Sequence, residues 1–475
     1  MDSTRRASIV ALVVSCALFM ELLDGTVIAT ALPQMARSFG VSAVDVGVGI
    51  SAYLVTLAVC IPVSGWAADR FGGRRVFLTA IVVFTLASAL CGLAHSLPQF
   101  VLARILQGVG GAMMVPVGRL VVLRTTAKHE LVRATALITT PGLVATVLGP
   151  PVGGVITTYA SWRWIFYLNV PIGILGILLT LLYLPQDDDA ESRPFDTSGF
   201  VLSGVALAVL MLGLDDVGSG EHLAWAAPLI ALGVALAVVA IRHARRAAHP
   251  LLDYQLLRVP TFAASVWGGT CIRLIVGTTP FLWGLLFQVG FGRTPFVSGL
   301  LVLACAVGDV GTKAFTTRAV RTLGFRTLLV GASLLLALGI LACALFAPTT
   351  PTLVILVVLF YIGVVRSFAF TGINTLAYAD IPPAQMSAAT SFASTLQQLS
   401  FGIAIALAAI VLHVAALAHR GSTAEYTVGD FRVAFVVVAA IGVLAALNFS
   451  KLHPDAGHTV SGRRRFTARE APTPA

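Results

Sequence analysis

Glu21 and Asp24 stand three positions apart inside an apolar run that extends from Ala7 to Leu32. At about 1.5 Å of rise per residue, such a run crosses a bilayer as one tilted helix. Residues at i and i+3 are neighbours on a helix surface, so the two carboxyl groups should share a face. Two close carboxylates held away from bulk water should not both be ionised. Acids in the middle of a membrane helix are costly and mark a functional site. The chemistry expected of this pair is reversible proton binding within a membrane.

The composition fits a chain built around such a site. Of 475 residues, 57% are apolar and only 11% charged, with a mean hydropathy of +0.93. A soluble domain carries about 25% charged residues. The fold class expected is therefore all-α and polytopic. The N-terminus has basic residues before an apolar run, as a signal peptide does. That run is too long, holds two acids and lacks a cleavage site, so it reads as a retained first helix. The six cysteines all fall in apolar segments without metal-ligand spacing, and read as small core residues.

Apolar segments near 7–32, 46–67, 76–95, 99–121, 134–158 and 164–184 give six helices. Two shorter ones follow near 198–214 and 224–241, about 17 residues each, the lower limit for spanning. Six more lie near 261–288, 296–316, 327–347, 352–373, 388–417 and 432–450. The division expected is a first six-helix bundle over 1–185, then a linker over 186–260 with two inserted helices and a basic connector. A second six-helix bundle follows over 261–450, with a disordered cytoplasmic tail over 451–475. The net charge of +10 could suggest nucleic acid, but position argues otherwise. Of 31 Lys and Arg residues, Arg37, Arg163, Arg293, Arg420 and Arg432 would lie outside, and Arg104, Arg119, Arg273, Lys313 and Arg366 within helices. The other 21 share one side, which places both termini in the cytoplasm and excludes nucleic acid as a partner.

The loop after the second segment reads Gly65-Trp66-Ala67-Ala68-Asp69-Arg70-Phe71-Gly72-Gly73-Arg74-Arg75. Gly72 and Gly73 permit a sharp reversal, and Asp69 can cap a helix or pair with Arg74 or Arg75. A weak echo, Arg318 to Arg326 around Gly324, follows the tenth helix and suggests two related halves with a binding site between them. The loop resembles the signature of the major facilitator superfamily, with Gly73 as an extra residue. The resemblance implies a gating latch formed by Asp69, Arg70, Gly72, Arg74 and Arg75.

The fourth helix carries Arg104-Ile105-Leu106-Gln107-Gly108 with Gly110, Gly111 and Ala112. A charged Arg in an apolar helix needs a partner, and Glu21 and Asp24 are the candidates. The pattern is similar to the superfamily's helix-four motif, where the Arg is associated with proton coupling. The fifth helix contains Gly142, Gly149, Pro150, Pro151, Gly153 and Gly154. It resembles the motif that marks antiporters, with Pro151 as a second proline. Trp162-Arg163-Trp164-Ile165-Phe166-Tyr167-Leu168-Asn169, whose aromatics suit an outer interface, and Leu23-Asp24-Gly25-Thr26 resemble the fourteen-helix drug:proton antiporters of the EmrB/QacA type. Within that family the chain is most similar to the MdtD-type members. Ser387-Ala388-Ala389 and Gln397-Gln398-Leu399 with Gly402 fit its thirteenth helix.

Arg273 lies about twelve residues from either end of its helix and should pair with Asp309 or bind an anion. Asp309 and Lys313 are i, i+4 in the favourable order. Arg366 can snorkel inward. Phe19, Tyr53, Trp283 and Phe287, with Gln397, suit a pocket for an amphipathic cation beside Glu21 and Asp24. Arg273 suits an organic acid or acidic metal chelate better.

The function these readings imply is proton-driven efflux of drugs or other amphipathic small molecules across a bacterial inner membrane. The proton gradient is the energy source, and no cofactor or metal is expected. Asp24 would bind the proton with Glu21 sharing it, Arg104 would tune the pair, and Asp69 would latch the cytoplasmic gate. An adaptor and an outer-membrane channel are candidate partners beside the substrate, protons and lipid. A rival is a transporter-like sensor or assembly partner that moves nothing. An enzyme is the poorest reading. His95, His413 and His419 are isolated, and the chain has no nucleophile–base set or phosphate loop.

Overall fold

A computed structural model describes residues 3–41, 43–185, 194–219, 223–420 and 426–461. The polar stretch Gln186–Asp189 and the last part of the tail, 462–475, lie outside the described residues.

The chain is a multi-pass helical membrane protein. The first half begins with α1 (Ser3–Phe39) and α2 (Ala43–Cys60), which continues through a 3-10 turn at Ile61–Val63 into α3 (Ser64–Phe71). Pro62 in that turn removes a backbone donor, which breaks the α-pattern without ending the span. Gly72, at φ +85°, then reverses the chain into α4 (Gly73–Leu93). The half is completed by α5 (Leu97–Thr125), α6 (Leu131–Tyr159), the short α7 (Arg163–Tyr167) and α8 (Asn169–Tyr183).

Next comes a hairpin of α9 (Thr197–Ser219) and α10 (Leu223–Ala244). At 23 and 22 residues both helices are longer than their apolar cores, and both are long and apolar enough to cross a membrane. Asp215 would have ended α9 by hydropathy alone, but its carboxylate accepts a hydrogen bond from Ser51 of α2 at 2.6 Å. The second half contains α11 (Pro260–Leu285), α12 (Pro295–Cys343), α13 (Thr352–Leu376), α14 (Met386–Arg420) and α15 (Val428–Phe449). Gly324, at φ +73°, splits α12 into two spans at the position that mirrors Gly72. Thirteen described segments qualify as spans, and the 29-residue α6 is also of membrane length.

Polar cohesion is weak in lipid, so small residues let these helices pack. A Cβ on Gly142 would lie 2.7 Å from Leu22, and one on Gly149 would strike Thr26, so α6 runs hard against α1. One apolar core lies mainly in the second half, one lies in the first, and one runs from the first half into α11 and α14. The tail departs from its expected disorder over 451–461. Leu452 and Val460 are buried, and the described part of the tail includes the short α16 (His458–Ser461). Those apolar side chains give the segment a core to join.

Candidate functional site

Asp24 lies in the middle of α1 and is 1% exposed. Arg104 of α5, 0% exposed, meets it with Nη1 2.6 Å from Oδ2. The same Nη1 donates to Gln107 Oε1 at 2.6 Å, and Gln107 Nε2 donates to Asp24 Oδ1 at 3.0 Å. Asn169, at the start of α8, donates to Asp24 Oδ1 at 3.0 Å and to Ser88 at 3.0 Å. The Arg104 guanidinium also lies over the Tyr53 ring, 4.2 Å from its centroid. Two helices, α5 and α8, thus supply one carboxylate with a cation and two amides. Such an arrangement gives the buried carboxylate a counter-charge and three hydrogen-bond donors.

Glu21 is placed differently. It is half-buried, and its Oε2 has no hydrogen-bond partner among the described residues. Asp24 and Arg119 are the charges that act on it. Arg119 in turn donates from Nη1 to the Tyr378 hydroxyl of the second half at 3.5 Å. Glu21 and Asp24, expected to share a proton, thus have different partners among the described residues. The i, i+3 offset leaves the two side chains about 60° apart around the helix. Asp24 turns into the bundle, while Glu21 lies within electrostatic reach of Arg119 at the seam between halves.

The profile of the Major Facilitator Superfamily matches residues 14–406. The chain belongs to that superfamily. Its relatives include a candidate multidrug resistance protein, MdtD, of Klebsiella pneumoniae. It is 39% identical over 454 residues, covering 95% of this chain and 96% of the relative. The Escherichia coli protein of the same name is 38% identical over 458 residues, again covering 95% and 96%. Among solved structures, the proton:xylose symporter XylE aligns with a TM-score of 0.67 at 16% identity, covering 97% of this chain and 98% of that one. The human organic anion transporter MFSD10 aligns at 0.62 and 15%, covering 94% and 100%. Both show the shared fold.

The facilitator signature loop has partners other than those expected from local spacing. Asp69 pairs with Arg124 of α5 at 2.9 Å and accepts from Ser387 of α14 at 2.5 Å. Arg74 instead donates to the Leu181 carbonyl of α8 at 2.7 Å, because α4 starts at Gly73 and carries Arg74 away from Asp69. Ser391 donates to the carbonyls of Ile61 and Pro62 at 3.0 and 2.9 Å. These bonds join the two halves at one end of the molecule. The helices touch there through Gly65, where a Cβ would lie 2.7 Å from the Ser387 carbonyl oxygen. Gly65→Ala should therefore hold this end apart. Spin labels at Phe71 and Gln385, both exposed, should move to a longer mean distance. An unchanged distance distribution would mean that the contact tolerates a side chain.

The second-half expectations change most. Asp309 does not pair with Arg273. Its Oδ2 is held by Arg366, with Nε at 3.0 Å and Nη2 at 2.9 Å, and Lys313 stands 3.5 Å from Oδ1. Arg366 is thus bound to Asp309 rather than snorkelling, since a close carboxylate outweighs a reach to the interface. Arg273 is 2% exposed, and its recorded bond is a long one from Nη1 to the Ser265 carbonyl, 3.3 Å. Trp283 and Phe287 are 0% exposed in the second-half core and present no surface to a ligand. Tyr53 is buried under Arg104. Phe19 and Gln397 are half-buried, and Gln397 Oε1 has no hydrogen-bond partner among the described residues.

The aromatics of the 162–169 motif also differ from an interface belt. Trp162 and Phe166 are buried against Phe39 and Phe100, while Trp164 is exposed. His419 is not isolated, because its Nδ1 lies 2.9 Å from Asp430. Gln107, Arg119, Asn169, Tyr378 and Ser387 were not singled out as site residues. Gln107, Asn169 and Ser387 lie within quoted motifs, and Arg119 is a charge within a helix. Tyr378 carried no signal.

Proposed function

We propose that this transporter is a proton-coupled efflux antiporter that exports drugs or other amphipathic small molecules by alternating access. The observation that carries the reading is Glu21, a half-buried acid whose buried Oε2 has no hydrogen-bond partner among the described residues, beside a charge pair that is complete without it. A carboxyl group with a free oxygen can take up and release a proton without breaking a network. Asp24 and Arg104 then act as a fixed electrostatic frame. This exchanges the roles first expected for the two acids.

The bacterial inner membrane is the proposed location, with both termini in the cytoplasm. The basic side of the chain and the enterobacterial relatives support it. In that orientation the Asp69–Ser387 contact closes the cytoplasmic end. A proton entering from outside would neutralise Glu21 and favour separation of the cytoplasmic latch at Asp69. Substrate arriving from the cytoplasm would compete with that proton, since a ligand shifts an equilibrium only through differential affinity. Each proton returning down about 100 mV supplies roughly 2.3 kcal/mol. The antiporter motif at Gly142 and Gly149 supports the reading by keeping α6 close to the acid-bearing α1. Gly153, Gly154 and Pro150 belong to the same proposed motif.

The test is transport by purified protein in liposomes with an imposed pH gradient. The probe is a cation selected by a thermal-shift screen of drugs and organic acids. Accumulation should follow the gradient and vanish when a protonophore collapses it. Accumulation that ignores the protonophore would refute coupling.

A second reading rests on Arg273. A cation that is 2% exposed, with no carboxylate recorded beside it among the described residues, suits a substrate that brings its own negative charge. Arg273→Ala should then abolish export of an organic acid and spare that of a cationic dye. Equal loss of both would assign Arg273 to structure.

A further inference from the structure

An apolar cavity of about 410 Å³ lies between the α9–α10 hairpin and the second half. Its walls include Ser203 and Leu207 of α9, Ala240 of α10, Trp267 of α11 and Phe392 of α14, with Tyr254 of the connector at its base. All of these come from one end of the molecule. Helices α9, α11 and α14 begin there, and α10 ends there. The cavity is therefore confined to one leaflet. Trp267 is 60% exposed at its edge, and α10 offers Val238 and Val239 outward to lipid.

Charge completes the site. Arg242, Arg245 and Arg246 follow directly from the α10 wall at that end, and all three are exposed. None is paired with a carboxylate among the described residues. The nearby acid Asp196 is occupied by His243 at 2.9 Å. Ala240 and Ile241 of the cavity wall directly precede Arg242 in the chain, which ties the cluster to the cavity. An apolar slot beneath free cations matches an amphiphile with an anionic head.

We propose that this cavity holds an acyl chain of an anionic glycerophospholipid whose phosphate rests on Arg245, flanked by Arg242 and Arg246. The occupant would lie between the hairpin and α11 and α14, and so bear on how the second half moves. This inference does not depend on proton coupling.

The test uses the full chain in neutral detergent, titrated with phosphatidylglycerol or with phosphatidylcholine of identical acyl chains. Thermal unfolding is the readout, and native mass spectrometry counts retained lipid. Phosphatidylglycerol should raise the midpoint saturably, and phosphatidylcholine should not. Each arginine beside an anionic head contributes about fivefold in affinity, so replacing all three by Gln should weaken binding on the order of a hundredfold. The lipid-free midpoint of that exposed-site variant should match the parent. Ala240→Trp, which fills the slot, should remove the retained lipid even where it shifts the midpoint. Equal effects of the two lipids would overturn the proposal, as would an undiminished response in the triple variant. Preferential stabilisation by a cationic amphiphile through Ala240 would also overturn it, and would assign the cavity to transported molecules instead.

Discussion

Asp24→Asn is expected to lower the unfolding temperature of the purified transporter and to abolish export. The substitution keeps the size of the side chain but leaves the Arg104 guanidinium, 0% exposed, without its counter-charge. Removing one partner of a buried pair costs about 3–5 kcal/mol. For a chain of this size that corresponds to a midpoint lowered by about 3–5 °C. Gln107 and Asn169 would retain partial hydrogen bonding to an Asn, which limits the loss but does not replace the charge. The informative companion is the double variant Asp24→Asn, Arg104→Gln. Without the orphaned cation it should recover most of the lost stability. If it also regains gradient-driven export, the proton is carried elsewhere. A stable but permanently uncoupled double variant would return that role to Asp24. A single Asp24→Asn variant as stable as the parent would contradict the structural role altogether.

Glu21→Gln is expected to behave in the opposite way. Stability should hold or rise, because an acid with a free buried oxygen is replaced by a neutral group of the same shape. Export driven by a pH gradient should fall to background, since an amide cannot exchange a proton. Substrate exchange at equal pH on both sides should persist, because neither the latch at Asp69 nor the frame at Asp24 is touched. Intact gradient-driven export in this variant would eliminate Glu21 as the coupling group. Together the two substitutions separate the acid that holds the bundle from the acid that titrates.

The membrane character, helix order and the Asp24–Arg104 relation were legible because they rest on local signals. Long apolar runs identify helices, and an Arg in an apolar helix must find an acid. Glu21 and Asp24 were grouped correctly by spacing, yet their environments differ because one turn of a helix is not a whole number of residues. The second half was far less legible. Arg366 meets Asp309 across 57 positions, and Ser387 meets Asp69 across 318. Neither pairing has a periodicity to betray it. Arg273 was expected to pair with Asp309 or to bind an anion, whereas helix packing gave that acid two nearer cations, Arg366 and Lys313. Trp283 and Phe287 were read as pocket residues on aromatic character alone, which a packed core satisfies equally well.

The hairpin of α9 and α10 touches both halves, but not in the same way. On the α2 side it is tied by the Ser51–Asp215 hydrogen bond, and Gly204 seats it against Val59. On the α14 side, the contact at Gly402 is with the thioether of Met211. A methionine contact can slide and repack, whereas a 2.6 Å hydrogen bond to a carboxylate resists displacement. On the proposed alternating-access reading, the hairpin is expected to move with the first half and to slip along α14.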